Sequence, residues 1–481
     1  MKKHVNHPTD GKRKRFSVSG LVVSLVLLVL LLIFIGILWS TGWVPALYLI
    51  LGAVVSLLLC GVVLWLTRDP AHRVRRIIGF ILAALLALLG VFGDVALWRA
   101  ARTLRGVTDT TGERSAVAFY VLVDSEYETL NDLEGETLGI LSQLDRSNTD
   151  ETLQQTESEY GISFTTVEYT TLLDLADALR DGQVAGIVLN QAFLTLYEEL
   201  PEYEGFPSEI RELLVQEVTH ETPDVEQTDS SVITVLISGS DTRRERIDRR
   251  GRSDVNIIAR VNRETHEILL VSTPRDYYVP LALDGSPYDK LTHAGIYGMD
   301  VLQGTLENLY ATQIDYYVRI NFTGFIEVID ALGGIEVYSD YDFSAGGYDF
   351  HQGVNSLNGE QALAFARERH AFAQGDRQRG EHQMRVIEAV LNKAMSPSIL
   401  SSYMDIMASV EGCMDTNVPY DLIAEAVRQQ LAENTAWHVE TYSVNGTGTR
   451  AMTYSMPQQL YVMIPDETTV QEAKDKLAAL A

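Results

Sequence analysis

The hydrophobic pattern divides the chain near residue 105. Before that point three long apolar stretches follow a basic start, at 16–40, 41–67 and 77–98, and Asp94 is the only acidic residue inside them. Each stretch can cross a bilayer, because a spanning helix needs roughly 20 apolar residues. No small-x-small cleavage site follows the first stretch, as a signal peptide would require. Residues 1–105 are therefore predicted to form a cytosolic tail and three transmembrane helices; two spans and a membrane hairpin are the alternative.

Basic residues indicate the orientation of these helices. Six precede the first stretch and four lie between the second and the third, whereas the loop at 40–43 has none. The excess of Lys and Arg on cytoplasmic loops then places the N-terminus in the cytoplasm and the chain after three crossings outside. Arg99, Arg102 and Arg105 on the outer flank argue against this orientation but are outnumbered. We expect a multi-pass protein of the cell membrane with the chain after residue 105 outside the cell.

Residues 106–226 have the pattern of a small α/β accessory domain. The runs at 116–123 and 136–141 predict strands, and the run at 171–190 predicts a helix followed by a strand. The order of these elements resembles half of a type II solute-binding domain. No charged pocket residue stands out, so we expect a recognition or spacer domain. The polar stretch 221–231 is predicted to be a linker.

Residues 227–481 are predicted to form the catalytic domain. Strands are predicted at 232–238, 255–261 and 267–273. Helices and strands then alternate over 298–339. Such alternation is typical of a sheet covered by helices on both faces. Ligands in these folds collect at the carboxyl ends of strands, where Asp241, Arg275 and Asn321 fall.

The distribution of charged residues restricts the classes of ligand that the chain can bind. The chain carries a net charge of −27, and the part after residue 105 is more acidic still, with 25 basic against 62 acidic residues. A domain this acidic is a poor nucleic-acid binder. Against that background, residues 360–385 hold five arginines and no lysine. Because the arginine fork grips phosphate bidentately, this density predicts an anion site; a salt-bridged pair of surface helices is the alternative.

The sequence predicts two helices in this arginine-rich stretch. Asn358 can cap a short helix over 359–366, and a second helix is predicted from about Arg379 to residue 394. Arg379 and Gln383 then share one face of its first turns. The N-terminus of this helix adds partial positive charge of the kind that binds phosphates.

Two carboxylates stand at the ends of one polar loop, at Asp241 and Asp254. Such a pair suits Mg²⁺, with Mn²⁺ as the alternative ion, although aspartates in a polar loop also commonly form turns. The motifs GxxxxGK[ST], GxSxG and HExxH are absent. The only two cysteines are Cys60, within an apolar run, and Cys413, so no internal disulfide is expected.

Seven motifs in sequence carry a resemblance to a known family. They are SGSDTR, GRSDVNII, STPRDYYV, DKLTHA, DALGGIEV, LNGEQALAFARERH and GDRQRGEHQ. In this order they resemble the LytR-CpsA-Psr family of cell-wall glycopolymer phosphotransferases over 232 to about 395, and the three spans with an accessory domain resemble its capsule-associated branch. The resemblance implies an α/β/α domain with a central mixed sheet. It also implies transfer of a capsular polysaccharide or teichoic-acid-like polymer from a polyprenyl diphosphate to peptidoglycan, with the lipid in an apolar tunnel.

The resemblance also implies roles for particular residues. The metal ligands match Asp241 and Asp254. The residues implied to bind the diphosphate are Arg252, Arg275, Lys290, Arg367, Arg369, Arg379 and Gln383. The residues implied in catalysis are Asp254, Arg275, Arg367, Arg369, Asp376 and Arg379. One departure is His382, which stands where many members carry an arginine.

Two other classes of function compete with the transferase. A polyprenyl-diphosphate phosphohydrolase could use the same charges, and only its independence of a glycan acceptor would separate it. A membrane-anchored regulator of capsule and wall synthesis is the other class. The predicted cytosolic pieces of about 15 and about 9 residues are too short for a DNA-binding domain, which disfavours direct regulation.

Overall fold

A computed structural model describes residues 17–480, except 71, 109–112, 221–229, 241–246, 248–249, 370, 373–375, 397–405, 407–408, 410–411 and 434. The chain packs as two compact units. One combines 1–104 with 420–434, and the other combines 105–419 with 435–481. The accessory and catalytic domains expected from the sequence thus lie together in the second unit.

The first unit is built on three apolar helices, as the three predicted spans required. They are α1 (Val18–Thr41), α2 (Ala46–Thr67) and α3 (Arg73–Thr108). All three are long and apolar enough to cross a membrane. Most of their large side chains are exposed, as expected of groups that would face lipid. A small contact core of Leu27, Cys60, Val63 and Ala83 joins them.

The same unit includes a helix from late in the chain, Tyr420–Glu433, which is α13 in chain order. The Tyr420 hydroxyl donates a hydrogen bond of 3.0 Å to the carbonyl oxygen of Thr41, the last residue of α1. The ring of Tyr420 lies 6.2 Å from that of Trp43. The sequence placed this segment within the predicted catalytic domain, and it carries no apolar run that would link it to the anchor.

The accessory part of the second unit is a five-stranded mixed sheet in the order β3-β2-β4-β1-β5. Its strands are β1 (Glu113–Leu122), β2 (Thr137–Leu141), β3 (Thr165–Tyr169), β4 (Gly186–Asn190) and β5 (Ile210–His220). Its helices are α4 (Arg146–Tyr160), α5 (Leu172–Arg180), and the single turns α6 (Leu194–Tyr197) and α7 (Phe206–Glu209). The predicted strands and helix correspond to β1, β2, α5 and β4.

Helix α4 was missed because its buried face is polar. Asn148, Thr149, Thr152 and Thr156 are all at most 3% exposed, so the helix has no apolar stripe for a periodicity argument to detect. The Asn148 amide donates to the Ser115 hydroxyl on β1 over 3.3 Å. Polar packing against the sheet therefore replaces the usual apolar contact.

The catalytic part is a six-stranded mixed sheet in the order β16-β11-β6-β7-β8-β17, as expected. The strands are β6 (Val232–Ser240), β7 (Val255–Asn262), β8 (Glu267–Ser272), β11 (Tyr316–Asn321), β16 (Met414–Thr416) and β17 (His438–Ser443). Strand pairings run β11 parallel to β6 and β17 parallel to β8, whereas β7 is antiparallel to both of its neighbours. Four strands therefore point the same way.

Alternate residues of the central strands point to opposite faces, as the period of two requires. Leu236, Ile258 and Leu269 enter a core with helices α9 (Met299–Tyr310) and α14 (Glu467–Ala479). Ile257, Ile268 and Leu270 enter a second core that includes Met384 of α12 (Asp376–Ala394). Helices thus cover both faces of the sheet, and the predicted α/β fold is confirmed.

Shorter elements surround this sheet. Further α-helices are α8 (Leu291–Tyr297), α10 (Phe322–Ala331) and α11 (Gly359–Arg367). Further strands form four antiparallel pairs. They are β9 (Tyr278–Pro280) with β10 (Tyr288–Lys290), β12 (Ile335–Ser339) with β15 (Gly353–Leu357), β13 (Phe343–Ala345) with β14 (Tyr348–Phe350), and β18 (Gly446–Met452) with β19 (Gln459–Pro465).

Candidate functional site

One edge of the six-stranded sheet gathers the predicted site residues. The parallel strands β6, β8, β11 and β17 all end there, and the antiparallel strand β7 begins there. Asp254 immediately precedes β7, and Arg275 follows β8 by three residues. Asn321 ends β11 opposite Ser240 of β6 and caps α10, where its side chain accepts a hydrogen bond from the Gly324 backbone. Asp241 follows Ser240 in the chain and lies outside the described residues.

Asp254 is the centre of this edge. Its Oδ1 accepts hydrogen bonds from Arg275 Nη1 over 3.0 Å and from the Thr292 hydroxyl over 3.1 Å. Burial raises the pKa of the Asp254 carboxyl, but the Arg275 and Arg252 guanidinium groups outweigh that effect and hold the pKa below its usual value. Asp254 is therefore a carboxylate at neutral pH and a fixed counter-charge for Arg275.

The backbone around Asp254 is held by helix α8 and the strand beside it. Gly251 N–H donates to Gly295 over 3.0 Å, and Ser253 N–H donates to Thr292 over 3.0 Å. Asp254 N–H donates to Gly239 over 2.8 Å. Gly251 has a φ of 157°, which an L side chain rarely adopts. Backbone hydrogen bonds thus fix residues 251–254, which form the end of the loop that begins at Asp241.

Arg319 is a supporting residue that sequence reasoning missed. It lies within β11, is fully buried, and donates from Nη2 to the Gly251 carbonyl over 2.9 Å. Its Nη1 lies 3.3 Å from the Met299 sulfur. The sequence signal that could have identified Arg319 is its position in the middle of an otherwise apolar strand. An arginine buried in a core requires specific partners, so such a position indicates a structural role.

Two further predicted ligands, Arg252 and Lys290, pair with carboxylates of the accessory domain. Arg252 Nη2 lies 3.1 Å from Glu198 Oε2. Lys290 Nζ lies 2.7 Å from Glu199 Oε2 and 3.5 Å from Asp276 Oδ1. Sequence reasoning missed both glutamates, since nothing in the run 198–204 distinguishes them from solvated acidic residues.

His293 joins this group of charges. Its Nδ1 lies 2.7 Å from Asp289 Oδ1 and its Nε2 lies 3.0 Å from Glu199 Oε1. Burial lowers the pKa of His293, but the Asp289 and Glu199 carboxylates outweigh it and raise the pKa to about 9. The imidazolium therefore donates to both carboxylates at neutral pH. Asp289 also accepts from the Ser455 backbone and hydroxyl, over 2.7 and 2.5 Å.

The arginine-rich stretch forms α11 and α12, as expected. Asn358 begins α11 with a capping box that it shares with Gln361. Arg367 ends α11, is exposed, and places its guanidinium 4.6 Å from the ring of Phe322, the residue after Asn321. This stacking brings Arg367 to the carboxyl edge of β11. Arg369 follows α11 and is half-buried.

Helix α12 begins at Asp376, three residues before the predicted start, so Arg379 and Gln383 lie within its first two turns and both are half-buried. A Cβ added at Gly380 would lie 3.2 Å from the Ser272 hydroxyl at the end of β8. The helix therefore passes close to the carboxyl edge of the sheet. The side chain of Asp376 lies outside the described part of the chain.

His382 belongs to an aromatic core. Its ring lies 4.4 to 5.2 Å from the rings of Phe343, Phe365 and Phe372. Its Nδ1 lies 3.2 Å from the Phe365 carbonyl oxygen. Burial lowers the pKa of His382 to about 4, so the imidazole is neutral at pH 7. His382 thus packs as a neutral aromatic ring among three phenylalanines.

Asp254 is the candidate metal ligand among the described residues of this site. The described residues contain no group of three or more His, Cys, Asp or Glu side chains placed to hold an ion. Both hydrogen bonds to Asp254 reach Oδ1, and Mg²⁺ requires only one or two protein carboxylates because water and phosphate oxygens complete its shell. Asp254 fits as one ligand, and Asp241, one residue beyond β6, is in the right part of the chain to be the other.

These features define an α/β domain with arginine and aspartate side chains paired at the carboxyl edge of a mixed sheet. The chain belongs to the LytR_cpsA_psr family, whose model matches residues 208–479. The resemblance expected from the seven motifs is thereby confirmed. The match starts before the predicted catalytic boundary at 227 and extends past the last of the motifs.

Several relatives are named polyisoprenyl-teichoic acid–peptidoglycan teichoic acid transferase TagU. The protein of that name from Bacillus mycoides is 33% identical over 251 residues, which cover 52% of this chain and 79% of the relative. The one from Enterococcus faecalis is 40% identical over 189 residues, or 39% of this chain and 62% of the relative. These names support a transferase.

Solved structures align with about half of the chain. The crystal structure of Bacillus subtilis TagU has a TM-score of 0.41 and 29% identity, and the match covers 52% of this chain and 96% of that one. The structure described as TagT bound to LI-WTA has a TM-score of 0.41 and 27% identity, with coverage of 53% and 94%.

Proposed function

We propose that the protein transfers a glycopolymer, teichoic-acid-like or capsular, from a polyprenyl-diphosphate carrier to peptidoglycan. The names of its relatives support the kind of donor and acceptor. The observation on which the proposal chiefly rests is the hydrogen-bonded pair of Asp254 and Arg275 at the carboxyl edge of the sheet. A carboxylate able to bind a cation beside an arginine fork matches the charge of a metal diphosphate.

The reaction would be a phosphoryl transfer. A sugar hydroxyl of peptidoglycan attacks the sugar-proximal phosphorus, a new P–O bond forms, and the bond to the bridging oxygen breaks so that polyprenyl phosphate leaves. The arginine forks stabilise the charge on the transferring group; those proposed for this role are Arg275, Arg367, Arg369 and Arg379. Lys290 and Gln383 are proposed as further diphosphate ligands.

A carboxylate must accept the hydroxyl proton. The lowered pKa of Asp254 makes it a weak base, which favours Asp376 for this role. Mg²⁺ bound by Asp241 and Asp254 would neutralise part of the diphosphate charge. We further propose that the N-terminus is cytoplasmic and that the catalytic domain lies outside the cell, where peptidoglycan is found.

The lipid that co-purifies with the protein tests the donor assignment. The full chain is extracted from membranes in mild detergent, and bound lipid is identified by mass spectrometry. We expect a polyprenyl phosphate or diphosphate with the wild type and much less with Arg275→Ala. Arg450→Ala, which changes an exposed arginine on β18, is the matched control and should retain the lipid. Equal lipid in Arg275→Ala and wild type, or none in either, would contradict the proposal.

A further inference from the structure

A single carboxylate of the accessory domain bridges two cations of the catalytic domain. Glu199 lies just after α6, and its backbone N–H donates to Leu196 over 3.1 Å. Its Oε2 accepts from Lys290 over 2.7 Å and its Oε1 lies 3.0 Å from His293 Nε2. Lys290 and His293 stand at the start of α8, three residues apart. One side chain therefore fixes the first turn of that helix.

These charges are buried and depend on one another. The side chain of Glu199 is 12% exposed, that of Lys290 8%, and that of His293 is fully buried. Removing one partner from such a group leaves an uncompensated buried charge, which is strongly unfavourable. Both carboxylate neighbours of His293, Asp289 and Glu199, thus stabilise its cationic state.

The first turn of α8 is also the turn that holds Asp254. Thr292, between Lys290 and His293, donates its hydroxyl to Asp254 and its backbone N–H to the Arg275 carbonyl over 2.8 Å. The Thr292 carbonyl accepts from Ser253. A shift of this turn would therefore move the groups that orient both Asp254 and Arg275.

Apolar packing keeps Glu199 in place. The rings of Phe193, before α6, and Tyr297, at the end of α8, meet edge to face with centroids 5.9 Å apart. Leu196 and Tyr197 share one buried core with Ile296 and with residues of the accessory sheet. The accessory and catalytic domains are thus joined by a continuous core directly beside the charged group.

We infer that Glu199 is a positioning residue through which the accessory domain completes the catalytic site. It holds Lys290 and His293 as cations and so fixes the turn of α8 that orients Asp254 and Arg275. The inference rests on the proposed function of that site. It gives the accessory domain a role in building the phosphate site, beyond the recognition or spacer role expected from the sequence.

The pH dependence of Glu199→Gln distinguishes positioning from simple domain docking. The charged groups facing His293 are Asp289 and Glu199, with Lys290 beside them. Loss of the Glu199 charge should lower the pKa of His293, so the imidazole becomes neutral at a lower pH and the turn loses its anchor there. We expect the alkaline limb of kcat/KM to move down by about one pH unit or more.

The pKa of His293 is measured by NMR titration of the full chain in detergent with ¹³C-labelled histidine. The His293→Gln variant assigns the resonance. Transfer from a lipid-linked donor to peptidoglycan is measured from pH 6 to 9 on the same samples. Glu199→Gln should approach wild-type transfer at pH 6 and fall about threefold or more below it at pH 8.5, as a downward shift of about one unit from a pKa of about 9 requires. Glu199→Asp should restore part of the shift, and the exposed Glu202→Gln should match the wild type.

Each outcome is decisive. A Glu199→Gln variant with an unchanged His293 pKa and an unchanged pH profile overturns the inference, even if it unfolds at a lower temperature, because docking alone would explain that. A wild-type chain that transfers nothing at any pH contradicts the proposed function instead, and removes the site that Glu199 would position.

Discussion

Arg275 Nη1 donates a 3.0 Å hydrogen bond to Asp254 Oδ1, although the two residues are separated by two antiparallel strands and the turn between them. The pairing of Ile257 with Ser272 brings the start of β7 beside the end of β8, which places both side chains at one edge. The carboxylate neutralises the guanidinium and orients its fork. A phosphate bound in the proposed site would meet a guanidinium that Asp254 already orients and partly compensates for its loss of water.

Replacement of Arg275 should reduce activity more than stability. Arg275→Ala removes a charge-assisted contact worth about 1.5 to 3 kcal/mol, or roughly 10- to 150-fold in kcat/KM. Arg275→Lys should recover little, because a point charge cannot reproduce the bidentate fork. Kinetics and thermal unfolding are compared with Arg450→Ala. If Arg275→Ala unfolds far below the control temperature, the arginine is structural and its assignment to the diphosphate is wrong.

The aspartates are tested by their dependence on Mg²⁺. Asn serves a turn as well as Asp, so Asp241→Asn and Asp254→Asn should be nearly silent if these residues only shape the loop. If they bind Mg²⁺, each change removes a formal charge from a hard-cation site, and more Mg²⁺ is needed for half-maximal activity. Activity is measured over a Mg²⁺ titration. Wild-type curves for both variants would exclude this metal site.

His382 should make the protein sensitive to acid. Its pKa is about 4 in the folded protein against an ordinary value of 6.5, so the unfolded chain binds this proton first as pH falls. The contribution of the neutral imidazole to stability is complete above pH 6.5 and is lost between about 6.5 and 4, on the order of 3 kcal/mol. His382→Phe should abolish that loss. Denaturant unfolding at pH 7.5 and 4.5 measures it, and equal acid losses in both proteins would refute the assignment.

The proposed orientation places residue 208 outside the cell. Ser208 is exposed on the accessory domain, so Ser208→Cys introduces an accessible thiol. The native cysteines Cys60 and Cys413 are both buried and should react slowly. A membrane-impermeant maleimide added to intact cells should label the variant and not the wild type. Labelling that appears only after the cells are lysed would reverse the orientation and conflict with a peptidoglycan acceptor.

Local signals predicted much of the fold and the site. Asn358 identified the start of α11 as a helix cap, and the ends of predicted strands located Arg275 and Asn321 at one edge of the sheet. A helix cap is recognised within a few residues of sequence. The position of a residue at a strand end follows from the direction of that strand. The apolar stretches at 16–98 identified the anchor for the same reason, because composition alone decides whether a helix can span a membrane.

Contacts between distant segments were the part that sequence could not supply. Glu199 meets Lys290 across 91 residues of chain, and no local pattern marks it as different from neighbouring glutamates. Arg319 reaches Gly251 across 68 residues. Helix α4 was missed because polar side chains fill its buried face. Each of these features depends on polar groups that pair in the tertiary structure. Such pairs have no characteristic period along the sequence.

Acceptor-dependent transfer is the most direct test of the account. The full chain in detergent is supplied with a lipid-diphosphate-linked glycopolymer carrying a radiolabel in the sugar, with and without peptidoglycan, and label in the insoluble wall is counted alongside released polyprenyl phosphate. The account predicts that label enters peptidoglycan with the wild type, that polyprenyl phosphate release depends on the acceptor, and that Arg275→Ala loses both. Equal release of polyprenyl phosphate without peptidoglycan, with no label in the wall, would contradict it and identify a phosphohydrolase.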